Sequence, residues 1–336
     1  MRSHTTSIRM AVAAALVALG SACTSEQQST PQPTLTSTTS TTTSSTAPPQ
    51  TTSVPSTTTD TLAPTTAETT TTTLPSGPAD ALVPLLVGGA DSAGWLFLGA
   101  WQRDSWQESN DPSGNPIRPG IAAGTPFTVS NLDGETEAEL GENTEACFDD
   151  QVGPAIDVDV PPAEPPGFGY SAVAVLTQPW PLKPRPVAAT ASAPEAYQAL
   201  GEASFDGEPV DATQGNVEQL VVADLDNDGD DEALVAFEFV QPSAAPGSPG
   251  DLAAILLVDV DTRSASTVLQ SLVPADIDEN TFPLIERFRV LDVADLNGDG
   301  RMEVLVHAWY YEGASVVVYT YDGSELTQVL AAGCGA

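Results

Sequence analysis

The sequence predicts an all-β domain, β-propeller-like or of a related β-rich type, that follows a disordered N-terminal stalk. Three observations favour this fold class. Short apolar runs rich in β-branched and aromatic residues recur between turn residues, proline-rich loops separate them, and an acidic stretch flanked by two apolar runs occurs twice. This spacing is typical of β-sandwiches and propellers, and helical periodicity is scarce.

Four segments have the composition of strands, and each is bounded by turn residues. They lie at 94–101 (resuming near Trp106 as a hairpin), 170–176, 252–260 and 315–321. Asp322 and Gly323 follow the last segment and predict a tight turn. Residues 194–200 predict one or two helical turns. Proline-rich loops are expected at 161–166, 179–186 and 242–249.

The N-terminus has the features of a bacterial export signal over residues 1–22. Arg2 and Arg9 precede a ten-residue apolar core, Met10 to Leu19, which is too short to span a bilayer comfortably. The stretch from Leu19 to Cys23 resembles a lipobox, although Gly20 stands where leucine is usual. We therefore expect lipidation of Cys23 and a membrane anchor facing the extracellular or cell-wall side. Cleavage after Ala22 without a lipid is the alternative.

Residues 23–78 are almost entirely Thr, Ser, Pro, Ala and Gln after Cys23. Such a segment has too few apolar groups to offset the entropy of ordering, so it predicts a disordered linker. Proline stiffening at up to about 3.1 Å per residue would let it reach on the order of 150 Å. We interpret it as a spacer that holds a globular β domain, residues 79–336, away from the membrane.

The chain is strongly acidic, with 46 Asp+Glu, 10 Lys+Arg and a formal net charge of −36. A surface of this kind repels nucleic acid and attracts cations, so no nucleic-acid partner is expected. Lys183 is the one lysine, and His4 and His307 are the two histidines.

The three cysteines are consistent with export. If Cys23 is lipidated, Cys147 and Cys334 remain, and an even pair outside the cytoplasm predicts a disulfide. Two separate thiols are the alternative. Cys334 lies between two glycines near the end of the chain, where little can bury a free thiol.

The acidic stretch is a sequence repeat with calcium-ligand spacing. Residues 222–235 align without gaps on 293–306, 71 residues later, and the matches include the oxygen-bearing positions. Ca²⁺ takes six to eight oxygen ligands, and alternate positions of a curled loop can point inward together. The expected ligands are Asp224, Asp226, Asp228, the carbonyl of Asp230 and Glu232 in the first copy, and Asp295, Asn297, Asp299, the carbonyl of Arg301 and Glu303 in the second. The second copy has fewer acids and should bind more weakly.

An EF-hand begins in the same way but differs in two respects. It needs a glutamate at loop position twelve and a helix on each side. Position twelve is Val235 in one copy and Val306 in the other, and both copies are flanked by β-branched runs.

The D-x-[DN]-x-D-G-x-x-E pattern between strands resembles the FG-GAP/VCBS repeats of integrin-type β-propellers. The resemblance covers residues near 217–240 and 288–323. It implies that each loop joins two strands of one blade and that its calcium is structural. Two repeats cannot close a propeller alone, so either 79–216 supplies degenerate blades or the fold is a smaller β domain that uses the same loop.

Signals for catalysis are weak. His307 is the one histidine of the expected mature chain, and no serine-hydrolase, zinc-protease or phosphate-binding motif occurs. Trp309, Tyr310 and Tyr311, like Trp95, Trp101 and Trp106, would pack in a sheet or stack on sugar. We expect a non-enzymatic, calcium-binding module that binds an envelope glycan or protein. The alternatives are an extracellular hydrolase acting on envelope glycan and a purely structural envelope component.

Overall fold

The computed structural model describes residues 82–89, 94–110, 120–147, 152–158, 169–191, 193–242, 247–278 and 281–335. The expected signal peptide, Cys23, the linker and the proline-rich segment 161–166 lie outside these residues. None of the helices in the described ranges is long and apolar enough to cross a membrane.

The described residues form sixteen strands and one α-helix. The strands are β1 (Val83–Gly88), β2 (Leu96–Gln102), β3 (Ser105–Glu108), β4 (Pro126–Asn131), β5 (Gly134–Glu145), β6 (Val152–Ile156), β7 (Ala172–Leu176), β8 (Val187–Thr190), β9 (Asn216–Ala223), β10 (Glu232–Phe239), β11 (Leu252–Asp259), β12 (Ala265–Leu272), β13 (Arg287–Ala294), β14 (Glu303–Tyr310), β15 (Gly313–Tyr321) and β16 (Leu326–Gly335). The helix is α1 (Glu195–Ala203), and a short 3-10 helix spans Ala212–Gln214.

The predicted all-β class is confirmed, and each predicted strand has a counterpart in β2, β7, β11 or β15. The expected hairpin after β2 turns at Arg103 and Asp104, which adopt φ angles of 52° and 58°. Two consecutive left-handed residues match the twist of the flanking strands. Trp101 and Trp106 then face each other across the hairpin, with ring centroids 4.8 Å apart. The predicted helix at 194–200 continues to Ala203.

The strands form three antiparallel sheets. A seven-stranded sheet has the order β3-β2-β1-β7-β4-β5-β6, a five-stranded sheet the order β12-β11-β10-β9-β8, and a four-stranded sheet the order β13-β14-β15-β16. The last is a simple meander, and each acidic repeat lies inside its own sheet. The first repeat falls between β9 and β10, and the second between β13 and β14.

The four-stranded sheet lies between the other two. Leu305 and Trp309 of β14 pack with residues of β1, β2 and β7, whereas Val304 and Val306 pack with residues of β9, β10 and β11. Neighbouring side chains of a strand point to opposite faces, so a strand covered on both sides needs apolar residues at nearly every position. This explains the continuous apolar runs on both sides of the second acidic repeat.

A helix and a disulfide make further contacts with the three sheets. Helix α1 packs on the outer face of the five-stranded sheet, where its partly buried Tyr197 and Leu200 join the cluster around Phe237. Cys147, just after β5, forms a disulfide with Cys334 of β16, with Cα atoms 5.8 Å apart. The cysteine count predicted this pairing, and the bond joins the seven-stranded sheet to the four-stranded sheet.

Candidate metal centre

Two acidic loops each join neighbouring antiparallel strands. We call residues 224–232 the first acidic loop and residues 295–303 the second acidic loop. Glu232 pairs with Ala223 across β9 and β10, and Glu303 pairs with Ala294 across β13 and β14. In each loop, the first acid directly follows the alanine that pairs with the last acid. The strand pairing therefore brings the first and last acids of each loop close together.

The two loops share three hydrogen bonds at equivalent positions. In the first loop, the amides of Leu225, Asn227 and Asp230 donate to Glu232 Oε2 (2.9 Å), Asp224 Oδ1 (2.7 Å) and Asp228 Oδ1 (2.9 Å). In the second, the amides of Leu296, Gly298 and Arg301 donate to Glu303 Oε2 (2.8 Å), Asp295 Oδ1 (2.7 Å) and Asp299 Oδ1 (2.8 Å). The repeat seen in the sequence is thus also a repeat of backbone conformation.

Left-handed residues also occupy equivalent positions. Asn227 and Gly298 have φ angles of 67° and 78°, and Gly229 and Gly300 have φ angles of 98° and 87°. Glycine and asparagine tolerate this region far better than other residues do. Two such residues, separated by a single aspartate, curl each loop and so turn its carboxylates inward.

Three carboxylates converge in the first acidic loop. One oxygen from each of Asp224, Asp226 and Glu232 lies within 4.8 Å of the other two. Two oxygens bound to one Ca²⁺ at roughly 2.3–2.6 Å lie at most about 5 Å apart, so the spacing suits a single cation. Asp226 Oδ1 is also enclosed and has no hydrogen-bond partner among the described residues. An enclosed acceptor without a donor is the feature that a cation would satisfy.

The other two predicted ligand residues of the first loop differ from these three in burial. Asp228 and Asp230 are exposed, and Asp228 is not among the three converging carboxylates. Its Oδ1 accepts the Asp230 amide. Asp231, which the spacing excludes as a ligand, is exposed.

The second acidic loop has an amide where the first has a carboxylate. Asn297 Nδ2 donates to Glu303 Oε1 at 3.1 Å and to Asp299 Oδ2 at 3.3 Å. The Arg301 guanidinium donates to the Tyr321 carbonyl at 3.1 Å. A cation in this loop would need the Asn297 amide to turn, so that its oxygen and not its nitrogen faced Glu303.

Burial raises the pKa of one glutamate in the first acidic loop and of two acids in the second. The pKa of Glu232 is raised to about 7, mainly by burial and also by the charges of Asp226, Asp228 and Asp224, while the Leu225 amide opposes the shift. Burial likewise raises the pKa of Asp295 to about 6 and that of Glu303 well above its usual value. Carboxylates held in this way favour either a proton or a metal ion.

Arg185 joins the two loops, and the sequence interpretation missed it. Its guanidinium donates to the carbonyls of Asp224 (2.6 Å), Leu225 (3.1 Å) and Gly300 (2.7 Å). The Met302 amide also donates to the Leu225 carbonyl at 2.8 Å. Basic residues are scarce in this acidic chain, so Arg185 in a proline-rich loop was a signal for a partner of the acidic loops.

Trp180, in the same proline-rich loop as Arg185, covers the second acidic loop. Its indole Nε1 donates to the Asp295 carbonyl at 3.0 Å. Its ring packs on Gly298, where an added Cβ would lie 2.9 Å from a ring carbon. The loop at 179–186 is therefore irregular, as predicted, but it supports the acidic loops and does not merely connect strands.

His307 lies in the core and not at an open site. It stacks on Trp309 at 4.9 Å and meets the Tyr170 ring edge-on at 5.8 Å. Its Nε2 has no hydrogen-bond partner among the described residues, and burial lowers its pKa to about 4. Of the other singled-out aromatic residues, Trp95 and Trp309 are buried and Tyr311 is 46% exposed.

No protein-family model, curated protein or solved structure matches this chain. Its function must therefore be inferred from its own residues.

Proposed function

We propose that this chain is an exported, calcium-binding lipoprotein whose β domain serves as a non-enzymatic binding module of the cell envelope. The observation on which this depends is the convergence of Asp224, Asp226 and Glu232 in the first acidic loop. The second acidic loop is a weaker site of the same kind. The partner of the module is an envelope glycan or protein.

The donor set favours calcium. The side chains that we expect to bind the cation in the first acidic loop all offer carboxylate oxygens. Hard oxygen ligands of this kind suit Ca²⁺ and Mg²⁺ and not Zn²⁺ or copper. The carbonyl of Asp230 would add a further oxygen. A loop of this kind accommodates the irregular coordination of Ca²⁺ more readily than the strict octahedron of Mg²⁺.

The resemblance to FG-GAP/VCBS repeats supports a structural role for the ion. In such repeats calcium stabilises the turn between two strands. Here a calcium ion in the same role would neutralise three carboxylates that otherwise repel one another, where the first acidic loop joins β9 to β10. The ion would then increase the stability of the sheet and would not take part in chemistry.

The envelope location is supported by the N-terminal sequence. An export signal, Cys23 and a linker over residues 23–78 together describe a lipid-anchored domain held away from a membrane. Mass spectrometry of the mature N-terminal peptide is expected to find Cys23 modified by acyl chains. An unmodified thiol at Cys23 would rule out the anchor without affecting the calcium proposal.

Calcium titration of the metal-free protein tests the central claim. Binding to the folded state alone adds about 2.7 kcal/mol at a hundredfold excess over Kd, so the melting temperature should rise with calcium and fall with chelator. Asp226→Asn is expected to lose most of this rise, because it removes a negative charge from the three converging carboxylates and lets an amide nitrogen donate to Glu232, as Asn297 does to Glu303. Asp231→Asn, one residue from Glu232 but exposed, is the matched control and should keep it. An identical melting curve with and without calcium would overturn the proposal.

A further inference from the structure

The one lysine of the chain lies against a fully buried carboxylate. Lys183 Nζ is 3.0 Å from Asp292 Oδ1, and the Asp292 side chain is 0% exposed. The structure gives neither Asp292 oxygen a hydrogen bond of normal geometry from the described residues. Lys183 Nζ also contacts the Asn131 carbonyl. The amine is thus in direct contact with the carboxyl group.

Both partners are held by fixed elements. Asp292 lies on β13, next to an irregularity in its pairing with β14. The Lys183 amide donates to Glu135 Oε1 at 3.0 Å, and the preceding carbonyl, that of Leu182, accepts the Asp295 amide at 2.6 Å. Leu182 itself is buried. Reacting groups held in contact by rigid surroundings gain a large effective concentration.

We propose that Lys183 and Asp292 condense to an intramolecular amide cross-link. Nζ attacks Cγ of Asp292, the new bond forms between these two atoms, and the Cγ–OH bond breaks. One water molecule leaves, and the nitrogen loses the protons that the departing oxygen gains. No atom changes oxidation state, and no co-reactant is needed.

The surroundings suit this reaction. Attack requires a neutral amine and a carboxylic acid, and transfer of one proton from the ammonium to the carboxylate supplies both. Burial raises the pKa of Asp292, which favours the acid, although the Lys183 charge opposes the shift. The Ser130 hydroxyl likewise opposes the shift.

The bond would tie the loop that contains Trp180 and Arg185 permanently to β13. That loop contacts both acidic loops, so the cross-link would fix their support independently of calcium. A domain exposed outside the cell benefits from such a bond, because it persists when non-covalent contacts open.

Peptide mapping of the full chain tests the cross-link. Trypsin cuts after Arg289 and Arg301 and so releases residues 290–301, which include Asp292. Lys183 is followed by Pro184, so its own fragment is not cut there. After reduction and digestion, we expect residues 290–301 attached to the Lys183 fragment, at the summed mass less one water. Release of free 290–301 in full yield from folded wild-type protein would overturn the proposal.

Lys183→Arg is the matched control. It retains the positive charge beside Asp292, but a guanidinium is not the nucleophile that an amine is. Residues 290–301 should therefore be released from this variant in full, with circular dichroism confirming its fold. Attachment of 290–301 in Lys183→Arg would also overturn the proposal. The wild-type map decides the question by itself if the variant does not fold.

Discussion

Buried ionisable side chains give this domain a pH dependence that can be assigned to single residues. His307 is enclosed by Trp309 and Tyr170, and Arg289 lies opposite it on β13. Burial is the main cause of its low pKa, and the positive charge of Arg289 adds to the shift. The folded state therefore resists protonation of a side chain that the unfolded chain protonates readily.

The sign of the effect follows from the two pKa values. The unfolded imidazole has a pKa of 6.5 and the folded one about 4, so the unfolded state binds more protons between these values. The contribution of His307 to stability is complete above pH 6.5 and is lost as the pH falls toward 4. At one pKa unit per 1.36 kcal/mol, the loss reaches about 3 kcal/mol. Urea unfolding at a series of pH values measures it.

His307→Phe isolates this contribution. The ring keeps the stacking on Trp309 but cannot titrate. We expect the stability of the variant to fall less steeply than that of the wild type between pH 6.5 and 4. The carboxylates of the two acidic loops titrate in both proteins, so the difference between the two curves reports on His307. Parallel curves would show that the imidazole is not protected from protonation.

At the scale of the element, the two acidic loops offer two turn glycines with different surroundings. Gly229 and Gly298 both have positive φ, but an added Cβ at Gly229 meets open space, whereas at Gly298 it meets the Trp180 ring at 2.9 Å. Gly229→Ala should cost about 1 kcal/mol for the backbone alone. Gly298→Ala should lower the free energy of unfolding by roughly a further 1–3 kcal/mol, because the added methyl group would overpack against the Trp180 ring. Equal losses in urea unfolding would contradict the contact with Trp180.

Arg185 connects the two loops, and its replacement should affect both. Lysine cannot reach the three carbonyls that the planar guanidinium spans. Arg185→Lys should leave at least one of the part-buried carbonyls of Asp224 and Gly300 without its donor and destabilise the protein by about 1–3 kcal/mol. Calcium affinity should fall as well, because the ligands lose their fixed backbone. Calorimetric titration with calcium, together with urea unfolding, measures both effects.

Arg263→Lys is the control for this change. Arg263 is exposed in the turn between β11 and β12 and makes its backbone contact through its amide. The Arg263→Lys variant should bind calcium as the wild type does, and its free energy of unfolding should stay within about 0.5 kcal/mol of the wild-type value. If Arg185→Lys behaved like Arg263→Lys, the bridge between the loops would have no energetic importance.

At the scale of the molecule, local patterns predicted the class of fold, the acidic hairpin loops and about half of the strands, whereas β1, β4, β5, β6, β8, β12 and β16 were not predicted. The strands, the acidic hairpin loops and the class of fold all depend on residues close together in the sequence, where periodicity and turn chemistry act directly. Glu232 beside Asp224 is such a case, because one hairpin brings them together. The disulfide was predictable by counting, since few cysteines were available.

The remaining features depend on contacts between distant segments. The Trp180–Asp295 and Arg185–Gly300 bonds each join residues 115 positions apart, and no local pattern identifies such partners. Asn297 shows a second reason. Its side chain fits a ligand pattern equally well with either end inward, and only its neighbours determine that the nitrogen faces Glu303. Packing of the four-stranded sheet between two others was likewise not visible in any one strand.

The disulfide should be the largest single covalent contribution to stability that is open to mutation. Cys147 and Cys334 are separated by 187 residues, so their bond restricts the unfolded chain over most of the domain. The chain-entropy model gives about 5 kcal/mol for such a loop, and removal of native disulfides typically costs 2–5 kcal/mol. The Cys147→Ser/Cys334→Ser double variant should lower the free energy of unfolding by about that amount in urea.

The calcium response of the double variant distinguishes a global effect from a local one. The disulfide joins the end of β5 to β16, whereas the converging carboxylates lie in the hairpin loop between β9 and β10. The variant should therefore keep the rise in melting temperature on calcium addition, although both of its melting temperatures lie lower. Loss of that rise would mean that the geometry of the first acidic loop depends on how the sheets are held together, and not on its own backbone hydrogen bonds.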